Sequence, residues 1–107
     1  MTDTDNILQV ADALTSQDRI AAYGHPLDDY TCTSAIWTAM LRNAGVLKDD
    51  AEISPELAIT MMAGMKVSRL SQNLSHIDSI QDTAGYMRCL QLVLEEKTRR
   101  ENFCGVN

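Results

Sequence analysis

The sequence predicts a small all-α protein, a compact bundle of about four helices formed by one domain that covers residues 1–107. Apolar side chains recur at helical spacing in several segments of the chain. Most of them are alanine, leucine and methionine, which favour helices, and only two prolines and five glycines interrupt the chain. A chain of 107 residues has room for a single hydrophobic core.

The N-terminal part of the chain contains two predicted helical segments. The first begins at about Thr4, and its apolar residues are spaced as on one helical face: Ile7, Val10, Ala11 and Leu14. Helical character resumes at Asp18 and continues to Tyr23. Gly24 follows, a residue type common just after a helix C-terminus.

The second main helix is predicted to begin at His25 and Pro26, because proline is favoured at the first position of a helix. Gly45 ends it, and the charged, aperiodic residues 46–53 predict a loop. The apolar stripe of this helix consists of Tyr30, Thr33 or Ser34, Trp37, Met40 or Leu41, and Ala44.

A third helix is predicted from Ser54 and Pro55 through about Ser71, with serine as the N-cap and proline in the first turn. It is apolar almost all round from Leu57 to Met65. A helix without a polar face favours burial on every side. In so small a domain this predicts that the third helix forms a subunit interface and that the protein is a homo-oligomer.

The last predicted helix begins at Ser75 to Asp78, which fits the capping-box pattern of a serine followed three residues later by an acid. It extends to about Arg100 and leaves a short C-terminal tail, residues 101–107. Its predicted buried stripe consists of Ile77, Ile80, Ala84, Met87, Leu90 and Leu94.

The net charge of −6 argues against binding of long nucleic acid, which requires a basic face. The basic residues cluster only near the C-terminus, at Lys97, Arg99 and Arg100, where they complement a helix dipole. A small anion in a local pocket remains compatible with this charge.

Membrane insertion and secretion are not expected, because the longest apolar run, residues 58–65, is too short to span a bilayer and the N-terminus lacks the features of a signal peptide. The cysteines are odd in number and widely spaced, which predicts free intracellular thiols: Cys32, Cys89 and Cys104. We therefore expect a cytoplasmic protein.

The first candidate site is the segment from Arg19 to Asp29, where Tyr23, Gly24 and His25 lie between two helices. The N-terminus of the following helix attracts anions, phosphate included. The alternative is a plain helix–helix turn in which glycine ends one helix, proline starts the next and tyrosine packs.

The second candidate is the pair Lys66 and Arg69, which project from one side of the apolar third helix. They could form a cationic clamp for phosphate or carboxylate. The alternative is that their stems pack on the helix while the charged groups stay in water.

The third candidate is the segment from His76 to Tyr86. Asp78 and Asp82 lie one helical turn apart, a spacing that allows both to bind a divalent cation. The alternatives are that Asp78 belongs to the helix cap and that Asp82 pairs with Lys66 or Arg69. Gly85 inside this helix predicts close helix packing or close approach of a ligand.

These segments together resemble a family of uncharacterised phage and prophage proteins over about residues 16–92. The resemblance is carried by Arg-x3-Tyr-Gly-His-Pro from Arg19, by Trp37, by Lys66-x2-Arg69-Leu70, and by His76-x-Asp78-Ser79-x2-Asp82-x-Ala84-Gly85-Tyr86. That family is distantly similar to phage domains associated with nucleotide modification and to the MazG-like all-α nucleotide pyrophosphohydrolases. The resemblance implies a helical, commonly oligomeric protein that handles nucleotides.

Our leading hypothesis is a phage-type nucleotide-binding protein that works without catalysis, as a sponge for a nucleotide-derived immune signal in the host cytoplasm. Phosphates would be bound by Arg19, His25, Lys66 and Arg69. A base would stack on Tyr23, Trp37 or Tyr86, and the other candidate ligand-binding residues are Gly24, His76, Asp78, Ser79 and Asp82.

The alternative hypothesis is a Mg²⁺-dependent MazG-like pyrophosphohydrolase that acts on nucleoside triphosphates, modified ones included. The MazG-like enzymes hold Mg²⁺ through a Glu-x2-Glu pair and a Glu-x2-Asp pair, whereas this sequence contains no Glu-x2-Glu. The catalytic carboxylates would then be Asp78 and Asp82, and Asp28 or Asp29 would complete the metal site. Mg²⁺ is expected as a cofactor only under this alternative.

Overall fold

A computed structural model describes residues 6–105, and within that range the regular secondary structure is entirely helical. The all-α class is therefore confirmed. The helices are α1 (Ile7–Leu14), α2 (Gln17–Tyr23), α3 (Pro26–Asn43), α4 (Pro55–Gln72) and α5 (Ile77–Gly105). The short helices α1 and α2 together occupy the position of the first of about four predicted helices. Thr4, the expected start of the first helix, lies outside the described residues.

Side chains at the N-termini of the first three helices fix where each helix begins. Asn6 accepts from the amide of Leu8 at 2.8 Å at the start of α1, and Ser16 accepts from the amide of Arg19 at 3.3 Å at the start of α2. Gly24 ends α2 with a positive φ of 85°, a conformation that favours glycine. His25 then caps α3, since its Nδ1 accepts from the amide of Leu27 at 3.0 Å.

The loop between α3 and α4 is held by two side chains of α3. Arg42 donates through Nε and Nη2 to the carbonyl of Ala51, at 3.0 and 2.6 Å. The Thr38 hydroxyl accepts from the amide of Ile53 at 2.9 Å. Residues 44–54 contain no helix, so the predicted loop is confirmed. Ser54 begins α4 as predicted, because its hydroxyl accepts from the amide of Leu57 at 3.1 Å.

The start of α5 differs from the predicted capping box. Helix α5 begins at Ile77, and the carbonyl of His76 accepts the first helical hydrogen bond, from the amide of Ile80 at 3.3 Å. Nδ1 of the His76 ring also accepts a hydrogen bond from the amide of Ser79, at 3.3 Å. The Ser75 hydroxyl instead donates to Asn73 at 3.0 Å. The imidazole of His76 therefore does the capping that was predicted for Ser75.

Helix α5 is also longer than expected, because it continues past Arg100 to Gly105 and includes part of the predicted tail. Ion pairs attach its C-terminal part to the N-terminal turns of two other helices. Lys97 Nζ lies 2.8 Å from a carboxylate oxygen of Glu56 on α4, and Arg100 Nη1 lies 2.9 Å from Asp28 on α3. Lys97 and Arg100, which the sequence indicated as partners of their own helix dipole, therefore form ion pairs with other helices.

The hydrophobic core lies where α5 packs against α1, α3 and α4. Its centre is formed by Leu27, Ile59 and Val93, against which Tyr30 and Tyr86 pack. Among the described residues, the buried apolar ones include Val10, Ala11, Leu27, Ile53, Ala58, Ile59, Ala63 and Val93. The molecule measures 46 × 40 × 20 Å, so it is only about two helix diameters thick. No helix between residues 6 and 105 is both long and apolar enough to cross a membrane.

The apolar stripes are less regular than the sequence indicated. On α3, Ser34 and Leu41 are the more buried of the predicted alternatives, since Met40 is 63% exposed. Thr38, which was not predicted, is also buried, and its hydroxyl accepts from the loop. On α5, Met87 and Leu94 are exposed rather than buried. Cys32 and Cys89 are free thiols, as predicted, whereas the side chain of Cys104 lies outside the described part of the chain.

Candidate ligand-binding site

A cavity of about 250 Å³ lies between α2, the first turns of α3 and the middle of α5. All three tyrosines of the chain line it, although they come from three different helices. The lining residues are Leu14, Thr15, Arg19, Ile20, Tyr23, Gly24, Pro26, Asp29, Tyr30, Asp82, Gly85, Tyr86 and Cys89. The cavity therefore combines aromatic rings with one guanidinium group and two carboxylates, and we call it the tyrosine cavity.

One wall of the tyrosine cavity is formed by α2. The guanidinium of Arg19 lies over the ring of Tyr23, 4.7 Å from its centroid, in a cation–π contact. Tyr23 is 69% exposed, so this contact holds a side chain that packing alone would leave free. Gly24 turns the backbone at the end of this wall. The arrangement presents an aromatic ring and a cation at the mouth of the cavity.

The opposite wall is formed by Tyr30 on α3 and by Tyr86 and Cys89 on α5, all of which pack against the hydrophobic core. Burial raises the pKa of the Tyr30 phenol well above its ordinary value, and the neighbouring Tyr86 and Cys89 act in the same direction. Burial also raises the pKa of the Cys89 thiol. Both groups are therefore protonated at neutral pH, and Cys89 is not an activated nucleophile.

The carboxylates of Asp29 and Asp82 supply the negative charge of the cavity. Asp82 Oδ2 lies 3.0 Å from Lys66 Nζ on α4, and the side chains of Lys66 and Asp82 are 13% and 35% exposed. The alternative interpretation of Asp82 as a partner for Lys66 is therefore the one that the structure supports. Lys66 does not form a clamp with Arg69, because Lys66 points toward α5 while Arg69 is exposed and lies outside the cavity.

Gly85 allows α1 and α5 to come close together beside the cavity. A Cβ atom at this position would lie 3.2 Å from Leu14 Cδ1, closer than ordinary van der Waals contact. The predicted reason for this glycine, close helix packing, is confirmed. Both Gly85 and Leu14 also line the cavity, so this packing shapes one of its edges.

Several residues predicted for the site lie elsewhere. His25 caps α3 and directs Nε2 toward Glu96, 3.7 Å away, and half-buried Trp37 lies further along α3. His76 and Ser79 bind each other at the start of α5, with 2.7 Å between Nδ1 and Oγ. Asp78 is exposed and does not line the cavity. Of the predicted ligand-binding residues, the cavity brings together Arg19, Tyr23, Gly24, Asp82 and Tyr86.

The carboxylates predicted for a metal site do not converge. Asp28 binds Arg100 through both oxygens, at 2.9 and 3.2 Å, and this guanidinium lowers the pKa of the Asp28 carboxyl. Asp29 and Asp82 line the tyrosine cavity, whereas Asp78 lies outside it. Within residues 6–105, no group of three or more histidine, cysteine, aspartate or glutamate side chains is arranged to hold a metal ion. The four acids predicted for the metal site under the hydrolase alternative therefore form no such group among the described residues.

Tyr30 and Cys89 line the cavity but are not among the site residues predicted from the sequence, and Asp29 is predicted only as a metal ligand. Tyr30 follows Asp29 directly, and Cys89 lies one helical turn after Tyr86, so both stand next to predicted site residues. The helical spacing places Tyr30 in a buried stripe instead. That prediction is partly right, because Tyr30 packs on the core and lines the cavity at once.

Residues 6–94 match a family described as a domain of unknown function, DUF6378. The chain belongs to this family. All of the cavity-lining residues lie within the matched range, whereas Glu96, Lys97 and Arg100 lie beyond it.

The chain is also similar to two phage proteins. It is 29% identical over 98 residues to the Gene 55 protein of Mycobacterium phage D29, covering 92% of this chain and 60% of that protein. It is 28% identical over 86 residues to the Gene 55 protein of Mycobacterium phage L5, covering 80% of this chain and 51% of that protein. The chain thus spans only about half to three fifths of these relatives. No solved structure matches the chain.

Proposed function

We propose that this protein binds a nucleotide-derived small molecule in the tyrosine cavity and sequesters it without turnover. The observation that carries this proposal is the convergence of three tyrosines, one arginine and two carboxylates on a single cavity. Ligand sites are typically concave and mostly apolar, with a few polar groups that fix orientation. The tyrosine cavity fits this description, because its aromatic rings are combined with one guanidinium group and two carboxylates.

The chemistry of the cavity suits a nucleotide. Tyrosine rings stack on nucleobases, and such stacking contributes about 1–3 kcal/mol per base. The guanidinium of Arg19 can pair with a phosphate in a bidentate arrangement. The carboxylates of Asp29 and Asp82 can accept hydrogen bonds from amino groups of a base or hydroxyl groups of a sugar. A nucleotide presents all three kinds of group.

Sequestration is favoured over hydrolysis by the distribution of the acids. Mg²⁺-dependent cleavage of phosphoanhydrides needs several carboxylates that converge on the metal ion. Only Asp29 and Asp82 line the cavity, and Asp82 already pairs with Lys66. The similarity to phage proteins supports a role in infection, and we propose that the ligand is a nucleotide-derived signal of host defence, bound in the host cytoplasm.

The proposal is tested by incubating the purified protein with nucleotides and nucleotide second messengers, then releasing bound material by heat. Intact ligand should be recovered, and EDTA should leave binding unchanged. Tyr86→Ala should weaken binding about tenfold or more in protein with a normal circular dichroism spectrum, whereas Trp37→Phe, which alters an aromatic residue outside the cavity, should not. If no member of the panel binds, or if the affinity is unchanged in folded Tyr86→Ala, the proposal fails. Recovery of monophosphate and pyrophosphate would establish the hydrolase alternative instead.

We also propose that the protein forms homo-oligomers through α4, the third of the helices predicted from sequence. Leu57, Met61, Met65 and Val67 on this helix are between 41% and 53% exposed. Gly64 lies among them, and a Cβ atom added to it would meet no neighbouring atom within 4 Å, so space is open there. A chain with net charge −6 can pair with a copy of itself more easily across such an uncharged surface than across an acidic one.

Light scattering at micromolar concentration should therefore give a mass at least twice the 11.9 kDa of one chain. Met61→Glu should produce a folded monomer, because two buried carboxylates would face each other. Met40→Glu, which changes an exposed methionine on α3, is the matched control. A monomeric parent protein would disprove this assembly.

A further inference from the structure

We infer that the ligand of the tyrosine cavity is a single nucleoside or nucleoside monophosphate, held by its base and sugar rather than by a polyphosphate chain. This inference rests on the proposed function and narrows its ligand class. It follows from the charges around the cavity, from the partner of Asp82 and from the cavity volume.

The charges that line the cavity do not suit a polyphosphate. Among the described residues that line the cavity, Arg19 is the one cation, whereas two carboxylates, Asp29 and Asp82, share the lining with it. Lys66 is close by, but its ammonium group lies 3.0 Å from Asp82 and is largely covered. Arg19 can neutralise one phosphate, whereas each further phosphate would add negative charge beside carboxylates with no cation left to pair with it.

Other cations predicted for phosphate binding are directed away from the cavity. His25 faces Glu96 on the far part of α5, and Arg69 is exposed on α4. Neither residue lines the cavity. The clustering of cations that the sequence suggested is therefore absent from the lining of this site, which leaves aromatic and hydrogen-bonding contacts as the main basis for affinity.

Asp82 is suited to recognise a hydrogen-bond donor of the ligand. Its Oδ2 atom is bound to Lys66, which fixes the carboxylate and balances its charge. The other oxygen, Oδ1, retains the capacity to accept a hydrogen bond, and the residue lines the cavity. An amino group or ring N–H of a base, or a hydroxyl group of ribose, is the matching donor. Lys66 acts here as a positioning residue.

The volume points in the same direction. Pockets for drug-sized ligands enclose about 300–1,000 Å³, and the tyrosine cavity, at about 250 Å³, lies below this range. One base with its sugar is the matching size. A cyclic or linear dinucleotide also carries a second phosphate, for which the described lining residues offer no second cation.

Isothermal titration calorimetry with the nucleoside, the 5′-monophosphate and the 5′-triphosphate of each common base, together with cyclic dinucleotides, tests the inference. For the preferred base, we expect the nucleoside and monophosphate to bind within about tenfold of each other. The triphosphate should bind no more tightly than the monophosphate. A triphosphate or a dinucleotide that binds more than about tenfold more tightly than every nucleoside and monophosphate overturns the inference and leaves the proposed function intact. If no compound binds, both fail.

Three substitutions test the role of the carboxylates that line the cavity. Asp82→Asn should weaken binding of the best mononucleoside or monophosphate at least about tenfold. Asp78→Asn changes an exposed acid one turn earlier on the same helix, outside the cavity, and should leave binding unchanged. Asp29→Asn provides a second variant of the lining that leaves the Lys66 pair intact. Binding unaffected by both Asp82→Asn and Asp29→Asn, in variants with normal circular dichroism spectra, would overturn the inference.

Discussion

The ion pair between Lys66 and Asp82 provides a sharp test of how the site is built. The two side chains lie 3.0 Å apart but differ in exposure, 13% for Lys66 and 35% for Asp82. Loss of the carboxylate leaves an ammonium group that water reaches poorly. Loss of the ammonium group leaves a carboxylate that water can still reach. The two substitutions should therefore have unequal effects on stability.

The size of the difference follows from burial. Exposed ion pairs contribute about 0–1 kcal/mol, whereas removal of one partner of a fully buried pair costs about 3–5 kcal/mol. This pair lies between these limits. We expect Asp82→Asn to lower the free energy of unfolding by about 1–2 kcal/mol and Lys66→Met by less than about 1 kcal/mol. Helix propensity does not obscure the comparison, because each replacement has a propensity close to that of the original residue.

Urea denaturation followed by circular dichroism at pH 7 measures both values, and the double variant completes a thermodynamic cycle. The double variant should be at least as stable as Asp82→Asn alone, because it removes the charge that Asp82→Asn leaves unpaired. If Lys66→Met proved as destabilising as Asp82→Asn, or more so, the reasoning from unequal exposure would be refuted. The same data show whether a loss of ligand binding in Asp82→Asn reflects the site or the fold.

Three further predictions concern stability. Gln81 is 3% exposed and its Nε2 atom has no hydrogen-bond partner among the described residues. Because a buried unpaired donor is costly, Gln81→Met should raise the free energy of unfolding, measured by urea titration, by about 1 kcal/mol. A loss of stability would contradict this. The pKa of the Tyr30 phenol is raised in the folded protein. The phenol therefore stabilises the fold below the unfolded pKa of about 10, and this stability is lost as the pH rises above that value. Tyr30→Phe should flatten that alkaline loss, and an unchanged pH profile would exclude Tyr30 as its source. The Lys97 ammonium group lowers the pKa of the Glu56 carboxyl, so the pair stabilises the fold above the unfolded pKa, and this stability is lost as the pH falls through the folded pKa. In thermal melts at pH 7, Glu56→Gln should be less stable than the parent by less than about 1 kcal/mol, and it should lose less stability than the parent on acidification. An equal loss of stability in acid would contradict the assignment.

The sequence left open whether Lys66 forms a clamp with Arg69, keeps its charge in water or pairs with Asp82. Lys66 and Arg69 are one helical turn apart, and local spacing suggested that they act together. In the folded chain α5 packs against α4, and Lys66 meets Asp82 there while Arg69 stays exposed. Helical periodicity determines which side of a helix a residue occupies, but it contains no information on which helix covers that side.

The sequence by itself determined the helices and most of their ends. Proline at the first position of α3 and α4, serine at the N-cap of α4 and glycine after α2 act through their own backbone and near neighbours, so their effect can be read locally. The tertiary structure alone decided that three tyrosines from α2, α3 and α5 share one cavity and that Asp28 binds Arg100. Such contacts join residues far apart in the chain, and they depend on how the helices pack, which no local pattern specifies.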